Sequence, residues 1–124
     1  MKKGWWMIWV IVLCTAPAWA DCEKTKTDYD MVYCGTKIYL QADKELNDVY
    51  QKLVGKLNAE GKKSLKAGQL AWIDTRNKNC TEGRADAILV DLDCATRTTV
   101  ERTQFLNDRH RECVSAGCMN SKLR

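Results

Sequence analysis

Proline is nearly absent: the single one, Pro17, lies within the first twenty of 124 residues, so no later segment is broken by its ring. Histidine is equally scarce. With His110 alone, no Ser/His/Asp or free Cys/His catalytic set can be assembled, and catalysis is not expected. No apolar run reaches the roughly twenty residues of a membrane span. The longest, over 4–13, is followed by the interruptions Thr15 and Pro17.

That run belongs to a distinct leader. Lys2 and Lys3 form a basic start, and Ala18-Trp19-Ala20 supplies a small-x-small site just before Asp21. These are the parts of a Sec-type signal peptide over 1–20, with a single domain over 21–124. Bulky Leu13 before Cys14 argues against a lipid-modified cysteine. A periplasmic or secreted protein with no stable membrane insertion after cleavage is expected.

Without the leader, 18 cations face 16 acids across 104 residues, a net charge of +2. That balance lacks the concentrated basic face of a nucleic-acid binder. The short run Lys62-Lys63, with Lys66, reads as a solvated helical face. Six cysteines remain: Cys22, Cys34, Cys80, Cys94, Cys113 and Cys118. An even set in a chain addressed to an oxidising compartment implies three disulfides.

Met31, Gly35, Ile38, Ala42, Leu46, Val49, Leu53 and Leu57 recur at helical steps, predicting a long amphipathic helix over 28–58 with Thr27 as N-cap. A second helix is expected over 62–82, with Leu65, Gln69, Trp72, Ile73 and Arg76 on one side and Gly61 and Gly83 at its ends. Asp86 can cap a third, carrying Leu89, Leu92, Thr99, Phe105 and Leu106 to about residue 112, with 113–124 as a tail. Strand-like alternation is absent. The expected fold class is all-α, an antiparallel three-helix bundle stabilised by disulfides.

Helix geometry restricts the cysteine pairing. Within one continuous helix Cys22 and Cys34 would stand about 18 Å apart, so pairing them requires the segment before Thr27 to fold back. Cys80 and Cys94 flank the second helical hairpin, and Cys113 with Cys118 can close a terminal turn. The favoured set is 22–34, 80–94 and 113–118. Cys34 with Cys80 is the rival, because an antiparallel second helix returns Cys80 to that level.

Three ordered patterns carry the sharpest signal. The first helix holds Ala42, Asp43, Leu46, Asn47 and Tyr50; the second holds Gln69, Trp72, Arg76 and Cys80; the third holds Cys94, Thr98, Arg102 and Leu106. Together, over about 22–106, they make the chain resemble the LprI-like lysozyme inhibitor N-terminal domain family. The resemblance implies a small secreted or periplasmic helical domain that binds a protein partner, lysozyme in some members. The connection from Cys80 to Cys94 is shorter than the glycine-containing turn expected of that family.

The same residues make physical sense without the family. If the first two helices pack antiparallel, facing residues have numbers summing to about 120, which sets Arg76 by Asp43 or Asn47, and Trp72 by Leu46, Val49 and Tyr50. A guanidinium and carboxylate there would fix the register of two generic helices. Thr98 and Arg102, one turn apart, extend this layer or else occupy a solvated face. The motif therefore reads first as structural.

His110, Cys113 and Cys118 form a three-ligand corner that a disulfide explains better than a metal, so no metal or cofactor is expected. The leading functional expectation is a binding protein that inhibits lysozyme by occluding its active site, a task needing no catalytic group. Contacts are expected at the connections 59–63 and 81–86. Because common lysozymes are cationic, an acidic patch including Asp43, Glu45 and Asp48 is a candidate partner surface. The alternative is an immunity or accessory protein that binds another envelope-acting toxin or an envelope assembly component.

Overall fold

The computed structural model describes Cys22, Lys24 and residues 26–124; the expected signal peptide over 1–20 lies outside them. Helix α1 (Asp28–Val54) starts where Thr27 predicts. The Thr27 hydroxyl accepts the Asp30 amide at 3.1 Å, and Asp30 Oδ2 accepts the Lys26 and Thr27 amides, each at 3.2 Å. Orphan amides of the first turn are thereby satisfied. The helix stops short of residue 58 because Asn58 caps the next one, its side chain accepting the Gly61 amide at 2.8 Å. Helix α2 is consequently Ala59–Asn79, earlier at both ends than the expected 62–82.

The all-α expectation fails between α2 and the third helix. Strands β1 (Thr81–Arg84) and β2 (Ala87–Val90) form an antiparallel hairpin with Thr81 opposite Val90 and Arg84 opposite Ala87. Asp86 lies in its turn and caps nothing. Helix α3 (Leu92–Ala116) is capped by Asp91, whose Oδ1 accepts the Cys94 amide at 2.9 Å. The physical cause is closure: the Cys80–Cys94 bridge holds its Cα atoms 5.5 Å apart, and the Asp91 amide donates to Cys80 O at 2.9 Å. A short connection tied at both ends, containing β-branched Ile88 and Val90, satisfies its backbone by folding on itself.

The helices run up, down, up. Leu92 sits against Gly35, and Cys118 Sγ lies 3.4 Å from Lys56 O, so α1 and α3 are parallel. Helix α2 runs against both, joined to α3 by Cys80–Cys94 at one end and reaching Asn120 through Asn58 at the other. Leu46, Val49, Leu53 and Leu57 of α1 form the core with Leu65 of α2, Leu106 of α3 and Leu123.

Two expectations about that core need correction. The α1 stripe is buried only from Ala42 onward among its apolar positions; Met31 is 56% exposed and Ile38 41%. Helix α2 ends at Asn79, level with about residue 41, so it does not run beside the first turns of α1. The Cys22–Cys34 bridge and Leu92 hold those turns instead. Leu89, expected on the third helix, is exposed on the hairpin.

The segment read as a tail is part of the fold. Helix α3 continues to Ala116, Gly117 turns the chain at φ +96°, and Cys113–Cys118 closes the turn. After a 3-10 turn at Asn120–Lys122, Leu123 enters the core with 1% of its surface exposed. Gly68 permits this approach, since a Cβ there would lie 2.7 Å from both Leu123 O and Arg124 Cα. The three bridges are the favoured pairs 22–34, 80–94 and 113–118, and the rival Cys34–Cys80 pair does not form.

Candidate functional site

The motif residues converge where α2 crosses the other helices. Arg76 Nη1 lies 4.0 Å from Asp43 Oδ1, the register expected from the facing-number rule. Asn47 does not reach Arg76; its amide donates to Asp43 O at 2.9 Å and to Asp43 Oδ2 at 3.1 Å. The Arg76 guanidinium also lies over the Trp72 ring at 5.0 Å and the Tyr39 ring at 5.8 Å, and bonds Asn77 Oδ1.

From Trp72 the stack continues into α3. Arg102 Cζ is 5.9 Å from the Trp72 ring centre and 4.6 Å from that of Phe105, which Arg109 approaches at 5.4 Å. Three guanidinium groups thus alternate with two aromatic rings across two helices. Each such contact contributes about 0.5 to 2 kcal/mol, more where water is excluded. Gln69 Oε1 accepts from Arg102 Nε at 3.0 Å, joining α2 to α3. Arg102 is buried, and burial pushes its guanidinium below the ordinary arginine range, with Tyr50 acting in the opposite direction.

The remaining motif positions have simpler surroundings. Leu46 and Leu106 are core residues, Tyr50 packs against the core edge, and Thr98 Oγ1 stands 3.9 Å from Cys80 Sγ. Within the motif, Leu46 and Leu106 thus fill the centre, while Arg76 and Arg102 lie against aromatic rings. Glu45 and Asp48 are exposed on α1, where Gln41 donates to Glu45 and Lys44 pairs with Asp48 at 2.6 Å. Cys113 and Cys118 are joined to each other, which removes the thiolates a metal at His110 would require. Among the described residues no cluster of three metal-ligating side chains occurs, and no helix is long and apolar enough to cross a membrane.

The surface feature of most functional interest is the hairpin. All of β2 is exposed, with Ile88 at 75%, Leu89 at 43% and Val90 at 58%. Apolar side chains alternate to both faces of a two-stranded ribbon, so neither face is a core face. Such a ribbon is marginal alone, and here the Cys80–Cys94 bridge clamps its base. From 81 to 93 the chain carries Glu82, Asp86, Asp91 and Asp93 against the single cation Arg84, a local acidic balance within a basic protein.

Three parts of this arrangement escaped the sequence reading. Arg109 completes the stack on Phe105, itself an expected apolar position of the third helix, and the spacing Arg102, Phe105, Arg109 on one helical face is the available signal. Strand β2 was absorbed into an expected helix. The pairing of Gly68 with the chain end has no local signal at all.

Comparison with known proteins places this geometry. A protein of Rhizobium meliloti (strain 1021), described as uncharacterized, is 30% identical over 124 aligned positions, covering 80% of this chain and 88% of its own length. No solved structure matches significantly. Residues 19–106, which include all three helical motifs and the hairpin, match the family described as lysozyme inhibitor LprI. With well over half of its length so matched, the chain belongs to the lysozyme inhibitor LprI family.

Proposed function

We propose that the protein is a periplasmic or secreted inhibitor of lysozyme that acts by occlusion, with the 81–90 hairpin as the inserted element. Family membership supports the inhibitor class, and the three disulfides accord with an extracytoplasmic location. The observation that carries the reading is the hairpin itself: a disulfide-clamped ribbon whose Ile88, Leu89 and Val90 are exposed with no core to serve.

A glycosidase cleft is concave and carries two carboxylates, so a narrow protruding ribbon blocks it without chemistry. Pre-clamping reduces the ordering cost of binding. Glu82 and Asp86 supply a local complement to a cationic enzyme that the global charge of the chain lacks, while Asp91 caps α3 and Asp93 pairs with Arg97 at 3.3 Å. Glu45 and Asp48, already engaged along α1, serve as outer contacts at most.

The test is lysis of peptidoglycan-bearing cells by several lysozymes in the presence of the oxidised chain from Asp21 onward. Wild type gives dose-dependent protection that reduction abolishes. The double variant Ile88→Ser with Leu89→Ser melts like wild type and protects at least tenfold less, whereas Glu45→Gln with Asp48→Asn changes protection much less. Absence of protection against every lysozyme defeats the inhibitor reading. Undiminished protection by the hairpin variant defeats its assignment as the inserted element.

A further inference from the structure

A groove of about 450 Å³ runs between α2, α3 and the chain end, bordered by Gly68, Ala71, Trp72, Arg102 and Arg124. Its wall contains an unusual group. Arg102 is only 8% exposed, its Nε is used by Gln69, and its Nη2 is buried without a hydrogen-bond partner. Among the described residues, neither Arg102 nor Arg124 has a carboxylate partner. The stack accounts for only part of the Arg102 environment: ring faces at 4.6 and 5.9 Å favour the charge but accept no hydrogen bond in the plane of the guanidinium.

We propose that this groove binds a carboxylate, with Arg102 in its wall and Arg124 at its rim supplying the charge and Trp72 an apolar side. A buried guanidinium without an anion is costly, and a carboxylate in the groove that Arg102 borders supplies the missing countercharge. The planar group suits the site. With aromatic faces against Arg102, a ligand engages it edge-on, which a flat carboxylate does and a tetrahedral phosphate does less well. Small side chains on α2 keep the approach open, Gly68 lying one turn before Trp72 and Ala71 immediately before it. The site is independent of the hairpin and of lysozyme binding.

Trp72 is the only tryptophan after residue 20, so its emission reports on the groove directly. The oxidised chain from Asp21, which contains every described residue, is titrated at constant ionic strength with acetate, a blocked tripeptide bearing one glutamate, and inorganic phosphate. Trp72 emission and the ¹⁵N resonance of Arg102 Nε are followed together. Saturable binding of both carboxylates, at least tenfold weaker in Arg102→Gln and in Ala71→Leu, is expected.

Ala71 is exposed, so leucine there fills the groove without disturbing Arg102 or the core, and the test survives if Arg102→Gln fails to fold. Tenfold tighter binding of the peptide than of acetate identifies a protein-borne carboxylate; equal binding identifies a small free acid. A non-saturating response, an unchanged response in Ala71→Leu, or tighter binding of phosphate overturns the proposal.

Discussion

Replacing Gly68 by alanine separates local from tertiary physics, because the two act with opposite sign. In an ordinary helix interior the change stabilises by about 1 kcal/mol, since alanine loses less backbone freedom on folding. At Gly68 the new Cβ would lie 2.7 Å from Leu123 O and Arg124 Cα, both backbone atoms that a rotamer change cannot move. The chain end must therefore undock, exposing Leu123, whose burial is worth roughly 1.5 to 3 kcal/mol. The difference is a net loss of about 0.5 to 2 kcal/mol. For a domain of this size that lowers the melting temperature by roughly 2 to 16 °C. Gly55→Ala is the control, its Cβ meeting nothing closer than Lys52 O at 3.5 Å and its φ of −63° already helical. Thermal unfolding by circular dichroism of the oxidised proteins reads both. In a Leu123→Ala background the chain end is already weakened, so Gly68→Ala should cost less there or become stabilising. A Gly68→Ala protein that melts above wild type would refute the docking of the chain end.

Other consequences are equally concrete. Arg76→Ala, which removes a side chain 12% exposed together with its Trp72, Tyr39 and Asp43 contacts, should destabilise by about 1 to 3 kcal/mol. Arg97→Ala, at 63% exposure, should stay within about 0.5 kcal/mol of wild type; equal melting temperatures for the pair contradict the register role of Arg76. Thr99→Val should raise stability by about 1 kcal/mol, because the Thr99 hydroxyl is buried without a partner, and a lower melting temperature would show that it has one. Hydrogen bonding by Thr27 and the Lys26 amide holds the Asp30 carboxyl below its ordinary value, so its contribution is present above the unfolded carboxylate pKa of about 4 and is lost as pH falls through the lower folded value. Protection of the first-turn amides of α1, taken relative to their intrinsic exchange rates, should fall over that acid range, and should do so less in Asp30→Asn.

Much of the helical architecture was legible because its signals are local. The period of Ala42, Leu46, Val49, Leu53 and Leu57, the Thr27 cap, and the number rule bringing Arg76 to Asp43 follow from helix geometry alone. Where reading failed, a competing partner was distant in sequence. Ile88, Leu89 and Val90 suit a buried helix face as well as a ribbon, and their apolar character alone does not choose between them. Met31 and Ile38 have the correct spacing, yet burial depends on how far the neighbouring helix extends.

The division for the candidate site is similar. Sequence by itself determined the inventory: six cysteines after residue 20, a single histidine, three motifs on three helices, and the family they mark. It also determined which face of each central helix is apolar, since side-chain direction follows from backbone period. Tertiary structure decided the rest. Closure of the 80–94 loop made a hairpin from an expected helix, docking of Leu123 on α2 made a core residue from an expected tail, and stacking placed Arg102 between rings with one nitrogen unpaired. Each of these depends on distances between residues far apart in the chain, which periodicity does not encode and packing does.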